Sequence, residues 1–88
     1  MPAIEYSEIF LEQFKKLPKD IQKKIRKAIR LLASDPKHPS LRSKPIRGAK
    51  GIFEVSPDMH YRMTYERLPG DVLRLRVVGL HDDALNHP

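Results

Sequence analysis

The chain has 88 residues, with 17 Lys and Arg against 11 Asp and Glu, a net charge of +6 and no cysteine. That length allows one domain, spanning 1–88, with a small core. The lack of cysteine excludes disulfides, thiolate nucleophiles and cysteine-based metal sites. There is no run of about 18 apolar residues and no signal-peptide pattern at the start, so the expectation is a cytoplasmic protein with no membrane contact. The charge is uneven: residues 15–50 carry thirteen Lys and Arg against Asp20 and Asp35 alone. An imbalance of that sign favours an anionic partner.

In chain order, Ala3–Tyr6 alternates and is β-prone, which predicts a first strand. Ser7 is placed to cap a helix over about 8–17, whose buried stripe is Phe10, Phe14 and Leu17. Pro18 suits the start of a second helix over about 19–33. There Ile21, Ile25, Ala28, Ile29 and Leu32 share one face, while Lys23, Lys24, Lys27 and their neighbours cover the rest as a solvated surface. The two helices form a hairpin. Residues 35–50 hold Pro36, Pro39, Pro45 and Gly48 and predict a loop of about 16 residues. Loops of that length in compact domains are commonly functional or disordered.

From Gly51 the period becomes two. Ile52–Ser56 reads as a strand, and a turn follows over Ser56–Asp58. His60–Glu66 alternates, with Tyr61, Met63 and Tyr65 on one side and His60, Arg62, Thr64 and Glu66 on the other. After a turn at Leu68–Asp71, Leu73, Leu75 and Val77 share a face opposite Arg74 and Arg76. Gly79 ends that strand, and Asp82 or Asp83 can cap a last helical turn. The order β-α-α-β-β-β predicts an α+β fold, with the helical hairpin on one face of a small, mostly antiparallel four-stranded sheet. The free face would display Arg62, Arg74 and Arg76 beside His81 with only Glu66 to offset them. Such like charges suit phosphate, the alternative being that Arg74 and Arg76 are surface residues paired with Glu66.

Histidine is the side chain here whose ordinary pKa, about 6.5, suits proton transfer near neutrality. No histidine pair has metal-ligand spacing, so neither metal nor cofactor is expected. His60 and His81 flank strand ends beside the arginines and are the better candidates; His38 lies in the basic loop. Acid–base groups next to fixed cations can cleave RNA. The 2′-OH attacks the adjacent phosphorus with help from a base, cations hold the charge on phosphorus, and an acid protonates the 5′-oxygen. The residues permit this chemistry without singling it out.

Three stretches, FLEQFKKLPKDIQKKIRKAIRLLASDP, KPIRGAKGIFEVSPDMHYRMTYE and DVLRLRVVGLHDDAL, resemble the RelE/ParE superfamily of type II toxins over nearly the whole chain. The ending Val78-Gly79-Leu80-His81-Asp82 is similar to that of the YafQ-like branch. The resemblance implies a RelE-like fold and a ribosome-dependent mRNA endonuclease that inhibits translation, with His81 as the main acid–base group and Arg62 as the phosphate-binding arginine. Asp58 is similar to that branch's aspartate after a proline, and His38-Pro39 to its His-Pro. His60 or Asp58 would be the second proton-transfer group. Lys37, His38, Arg42, Lys44, Arg47, Lys50, Arg74 and Arg76 would bind RNA. The sequence departs from the branch at Glu54, where the branch has a histidine, and at Leu80, where it has a small residue. The implied partners are an acidic antitoxin, the ribosome and mRNA, with operator DNA only through the antitoxin complex. A ParE-type gyrase poison without catalysis, or an inactive member that binds only antitoxin, is the alternative.

Overall fold

A computed structural model describes residues 1–88. The elements are β1 (Ala3–Tyr6), α1 (Glu8–Lys15), α2 (Lys19–Ser34), a 3-10 turn (Pro39–Leu41), β2 (Lys44–Pro45), β3 (Ile52–Val55), β4 (Tyr61–Leu68), β5 (Val72–Leu80) and α3 (His81–Asn86). The sheet has five strands in the order β1-β5-β4-β3-β2. Only the β1–β5 pairing is parallel. The fold is α+β as the sequence predicts, with one more strand than expected. The additional strand is β2, two residues inside the 35–50 segment, where Lys44 pairs with Glu54 and Pro45 with Phe53.

Ser7 caps α1 by accepting a bond from the Phe10 amide at 3.0 Å. Its hydroxyl also donates to the Arg76 carbonyl at 2.6 Å, tying the helix start to β5. Replacing Ser7 by Ala removes both bonds. The expected loss is about 1–2 kcal/mol of stability, read as a lower urea midpoint at unchanged slope.

Twelve buried residues form the core between the helices and one sheet face. Phe10, Ile21, Ile25, Ala28 and Leu32 come from the helices, and Val55, Met63, Tyr65, Leu73, Leu75 and Val78 from the strands. Leu41, from the 3-10 turn, completes the cluster. The sheet face differs from simple alternation in one respect. Thr64 pairs with Val77 but Tyr65 pairs with Leu75, so Arg76 has no partner and the ladder is irregular there. One extra residue on β5 reverses the phase of every side chain beyond it. Val78, rather than Val77, therefore joins the main core.

Two further expectations change. β5 continues through Gly79 to Leu80, and α3 starts at His81 with Leu80 before it, leaving Asp82 and Asp83 inside its first turn. The face predicted to be open is partly covered, because the chain after β5 folds back across it. The main-chain oxygen of Pro88 accepts bonds from Thr64 Oγ1 at 3.2 Å and from Arg76 Nε at 2.8 Å. No helix is long and apolar enough to cross a membrane.

Candidate functional site

The register of β4 and β5 assembles the site. Tyr61 pairs with Leu80 and Arg62 with Gly79, and the His81 amide then donates to the His60 carbonyl at 2.9 Å. His81 therefore lies beside His60 and two positions from Arg62, roughly 7 Å along the strand. Asp58 belongs to the same end, since its Oδ1 accepts from the His60 amide at 2.9 Å. Four residues from two separated stretches of sequence, 58–62 and 81, thus meet where the β3–β4 turn faces the start of α3.

Each of the four is held differently. The imidazole of His81 is half exposed, and its Nδ1 lies 2.9 Å from Asp82 Oδ1. When Nδ1 carries a proton and donates it there, Nε2 is left as the free acceptor. Arg62 Nη1 donates to the carbonyls of Asp58 (2.9 Å), Met59 (3.2 Å) and Tyr61 (2.8 Å), which closes the turn. Its Nε–H is buried without a partner. A buried donor left over in this way marks a guanidinium that the protein alone does not satisfy. His60 is exposed and its main chain carries the contacts to Asp58 and His81.

Asp58 is the most constrained. Its Oδ2 pairs with Lys24 Nζ of α2 at 2.6 Å. That hydrogen bond, together with the one from the His60 amide, holds the Asp58 carboxyl below the ordinary aspartate value, and the same contact raises Lys24 above the ordinary lysine value. The lowered carboxyl means that the tether is complete above the ordinary aspartate value of 3.8 and is lost as pH falls through the lower, folded value. The raised Lys24 means that it is complete below the ordinary lysine value of 10.5 and is lost as pH rises through the higher, folded one. The pair therefore stays intact across the neutral range. In a carboxyl NMR titration, Lys24→Ala is expected to move the Asp58 midpoint up toward the ordinary value; an unchanged midpoint would show that Lys24 does not set it.

Arg42 joins this end from the other side. It lines a cleft of about 300 Å³ with Ser40, Ser56, Asp58, Met59 and Arg62. Its backbone is left-handed, φ 49° and ψ 39°, an unfavourable conformation for a long side chain.

The remaining sequence candidates lie elsewhere. His38 Nδ1 accepts from the Ser40 amide at 3.1 Å and lies 2.7 Å from its hydroxyl, which makes His38 the cap of the 3-10 turn. It lines a second cleft with Lys37, Arg42 and Lys44. Arg47 and Lys50 are exposed in the turn between β2 and β3. The grouping of Arg74 and Arg76 beside His81 is corrected by the register. Arg76 lies five residues from His81, roughly 17 Å of strand. It is also engaged, with Nη1 on Glu66 Oε2 at 3.0 Å and Nε on Pro88. Arg74 is exposed opposite Glu66 in the neighbouring pairing.

Two residues were missed as site candidates. Glu54 is a buried acid on β3, paired laterally with Thr64 and 3.7 Å from Lys44. Arg67 faces the second cleft, and its guanidinium lies 4.7 Å from the Phe53 ring centre. The signal for Arg67 was its place two residues beyond Tyr65, on the same side of an alternating strand. No cluster of three His, Asp or Glu side chains is placed to hold a metal ion.

This fold, an α+β sheet with an N-terminal helical pair, is shared with solved structures of YafQ, RelE and YoeB/ParE toxins. The chain is similar to YafQ from E. coli, at 22% identity and TM-score 0.77 over 94% of this chain and 97% of that one. It is also similar to a chain of the intact E. coli RelBE toxin–antitoxin complex (17% identity, TM-score 0.72, 91% of this chain and 96% of that one). The YoeB/ParE toxin from Agrobacterium tumefaciens matches at 15% identity and TM-score 0.76, over 90% and 98% respectively. No family model matches the sequence, and no curated protein matches it.

Proposed function

We propose that this chain is the toxin of a type II toxin–antitoxin pair and acts as an endoribonuclease on messenger RNA at the ribosome. The observation that carries the reading is the convergence of His81, His60, Asp58 and Arg62 at one sheet end. It is supported by a fold shared with YafQ and RelE, both of which occur in toxin–antitoxin complexes.

His81 Nε2 takes the proton from the attacking 2′-hydroxyl or returns one to the departing 5′-oxygen. Asp82 fixes the ring so that Nε2 is the working nitrogen. Arg62 balances the charge that builds on the phosphorus oxygens. His60, whose main chain is bonded to that of His81, is the candidate for the second proton transfer. Asp58 acts as a positioning residue: with Lys24 on one oxygen and the His60 amide on the other, it sets the turn that carries His60 and Arg62. Arg42 contributes a second cation across the cleft.

The partner proposed is an acidic antitoxin, matched to the net charge of +6. The test is translation in vitro with purified ribosomes and a defined message. Cleavage of the message that stops when antitoxin is added supports the reading. Intact message there, with double-strand breaks in plasmid DNA incubated separately with gyrase and the protein, would replace it by a gyrase poison, and intact message with intact DNA would leave a binding protein.

A further inference from the structure

The second cleft adjoins the proposed catalytic end through Arg42 and lies between the 36–45 segment and the surface of β3 and β4, with a volume of about 270 Å³. Lys37, His38, Arg42, Lys44 and Arg67 line it and no carboxylate does. The sole ion pair made by any of them is Lys44 with Glu54, at 3.7 Å. Gathering five basic side chains in a concave site with a single counter-charge is unfavourable unless an anion occupies it.

The floor adds a second property. Phe53 stacks on Tyr65 with ring centres 5.3 Å apart and planes at 16°, and the Arg67 guanidinium covers Phe53. The Tyr65 hydroxyl lies 2.8 Å from Ser43 Oγ, which fastens the loop to the strand and fixes the cleft's width. The result is a layer of ring and guanidinium beside exposed cations, the combination that stacks a base and holds its phosphate. Its volume is close to the lower end for ligand clefts, roughly 300 Å³, which suits one small ligand rather than a peptide. An acidic peptide would use the charges but not the stacked rings.

We infer that this cleft binds a single nucleotide, with the base against the Phe53–Arg67 layer and the phosphate among Lys37, Arg42 and Lys44. The nucleotide is either a free mononucleotide or one residue of an RNA strand. Because Arg42 lines both clefts, a strand held at Arg62 has a path into this one. The inference goes beyond the cleavage reading and is tested without ribosomes or strand scission.

The experiment is an amide NMR titration of the full chain with AMP, with inorganic phosphate and with a 2′-O-methylated hexa-adenylate RNA, which cannot be cut. AMP is expected to shift the amides of Ser43, Phe53 and Arg67, and to bind more tightly than phosphate. Arg67→Gln and, separately, the exposed Lys37→Gln are each expected to weaken AMP by about tenfold. Phe53→Leu keeps an apolar side chain and is expected to abolish the preference for AMP over phosphate. RNA binding more than tenfold tighter than AMP assigns the site to a strand, and equal affinities assign it to free nucleotide. Shifts confined to His60, Arg62 and His81, or phosphate binding as tightly as AMP, would overturn the inference. Neither result bears on whether His81 cleaves.

Discussion

Replacing His81 by Ala is expected to slow ribosome-dependent cleavage of message by about 10²–10⁴-fold, the usual contribution of a positioned acid–base group. Its ring is half exposed and its only side-chain bond is to Asp82, so the fold loses little. A thermal melt should therefore remain within a few degrees of wild type. Arg62→Ala is the companion variant, with an expected loss of about 10²–10³-fold by analogy with removal of one charge-stabilising donor. That variant also releases three carbonyls of the β3–β4 turn, so part of its effect comes from the position of His60. Single-turnover rates on programmed ribosomes separate the two causes: His60→Ala in an Arg62→Ala background has no further effect if the turn has already misplaced His60. Cleavage by His81→Ala within about threefold of wild type would remove His81 from the reaction.

The largest expected effect on stability is that of Phe10→Ala. Phe10 is 1% exposed, lies 5.8 Å from Tyr6 and stacks with Phe14 at 6.4 Å. It belongs to the core shared by the helices and the sheet. Truncating a buried phenylalanine costs about 3–5 kcal/mol, through lost transfer energy and the cavity left behind. A domain of this size holds roughly 4–13 kcal/mol in total. The variant is therefore expected to melt roughly 15–30 °C lower. Leu11→Ala, one residue along the same helix and 45% exposed, is the control and should change stability by no more than about 0.5 kcal/mol. Equal losses from both would mean that α1 does not pack by the face seen here.

Both helices were legible because their apolar residues recur at the helical period, and period needs no knowledge of the rest of the chain. The order of the elements and the place of His81 near a strand end were legible for the same local reason. What could not be read were consequences of pairing. The irregularity at Thr64 and Tyr65 depends on how β4 lies against β5, and the separate sequences of the two strands alternate smoothly through it. Its effect was to exchange Val77 for Val78 in the core. Asp58 looked like a free carboxylate because Lys24, its partner, is 34 residues away on the helix. The pairing of Arg76 with Glu66 was open to a sequence reading, but its second bond, to the remote Pro88, was not, and the aromatic neighbour of Arg67 belongs to another strand.

The two edges of the sheet have a consequence for solubility. A sheet margin with free amides and carbonyls is a template for adding strands from other molecules. On one side the sheet ends in β2, two residues long, of which Pro45 has no amide to donate and Lys44 is an exposed charge. On the other it ends in β1, four residues that pass almost at once into the capped start of α1. Neither margin offers the length of flat, regular backbone on which fibrils grow: the exposed Tyr6 is the last residue of β1, and the exposed Ile9 already belongs to α1.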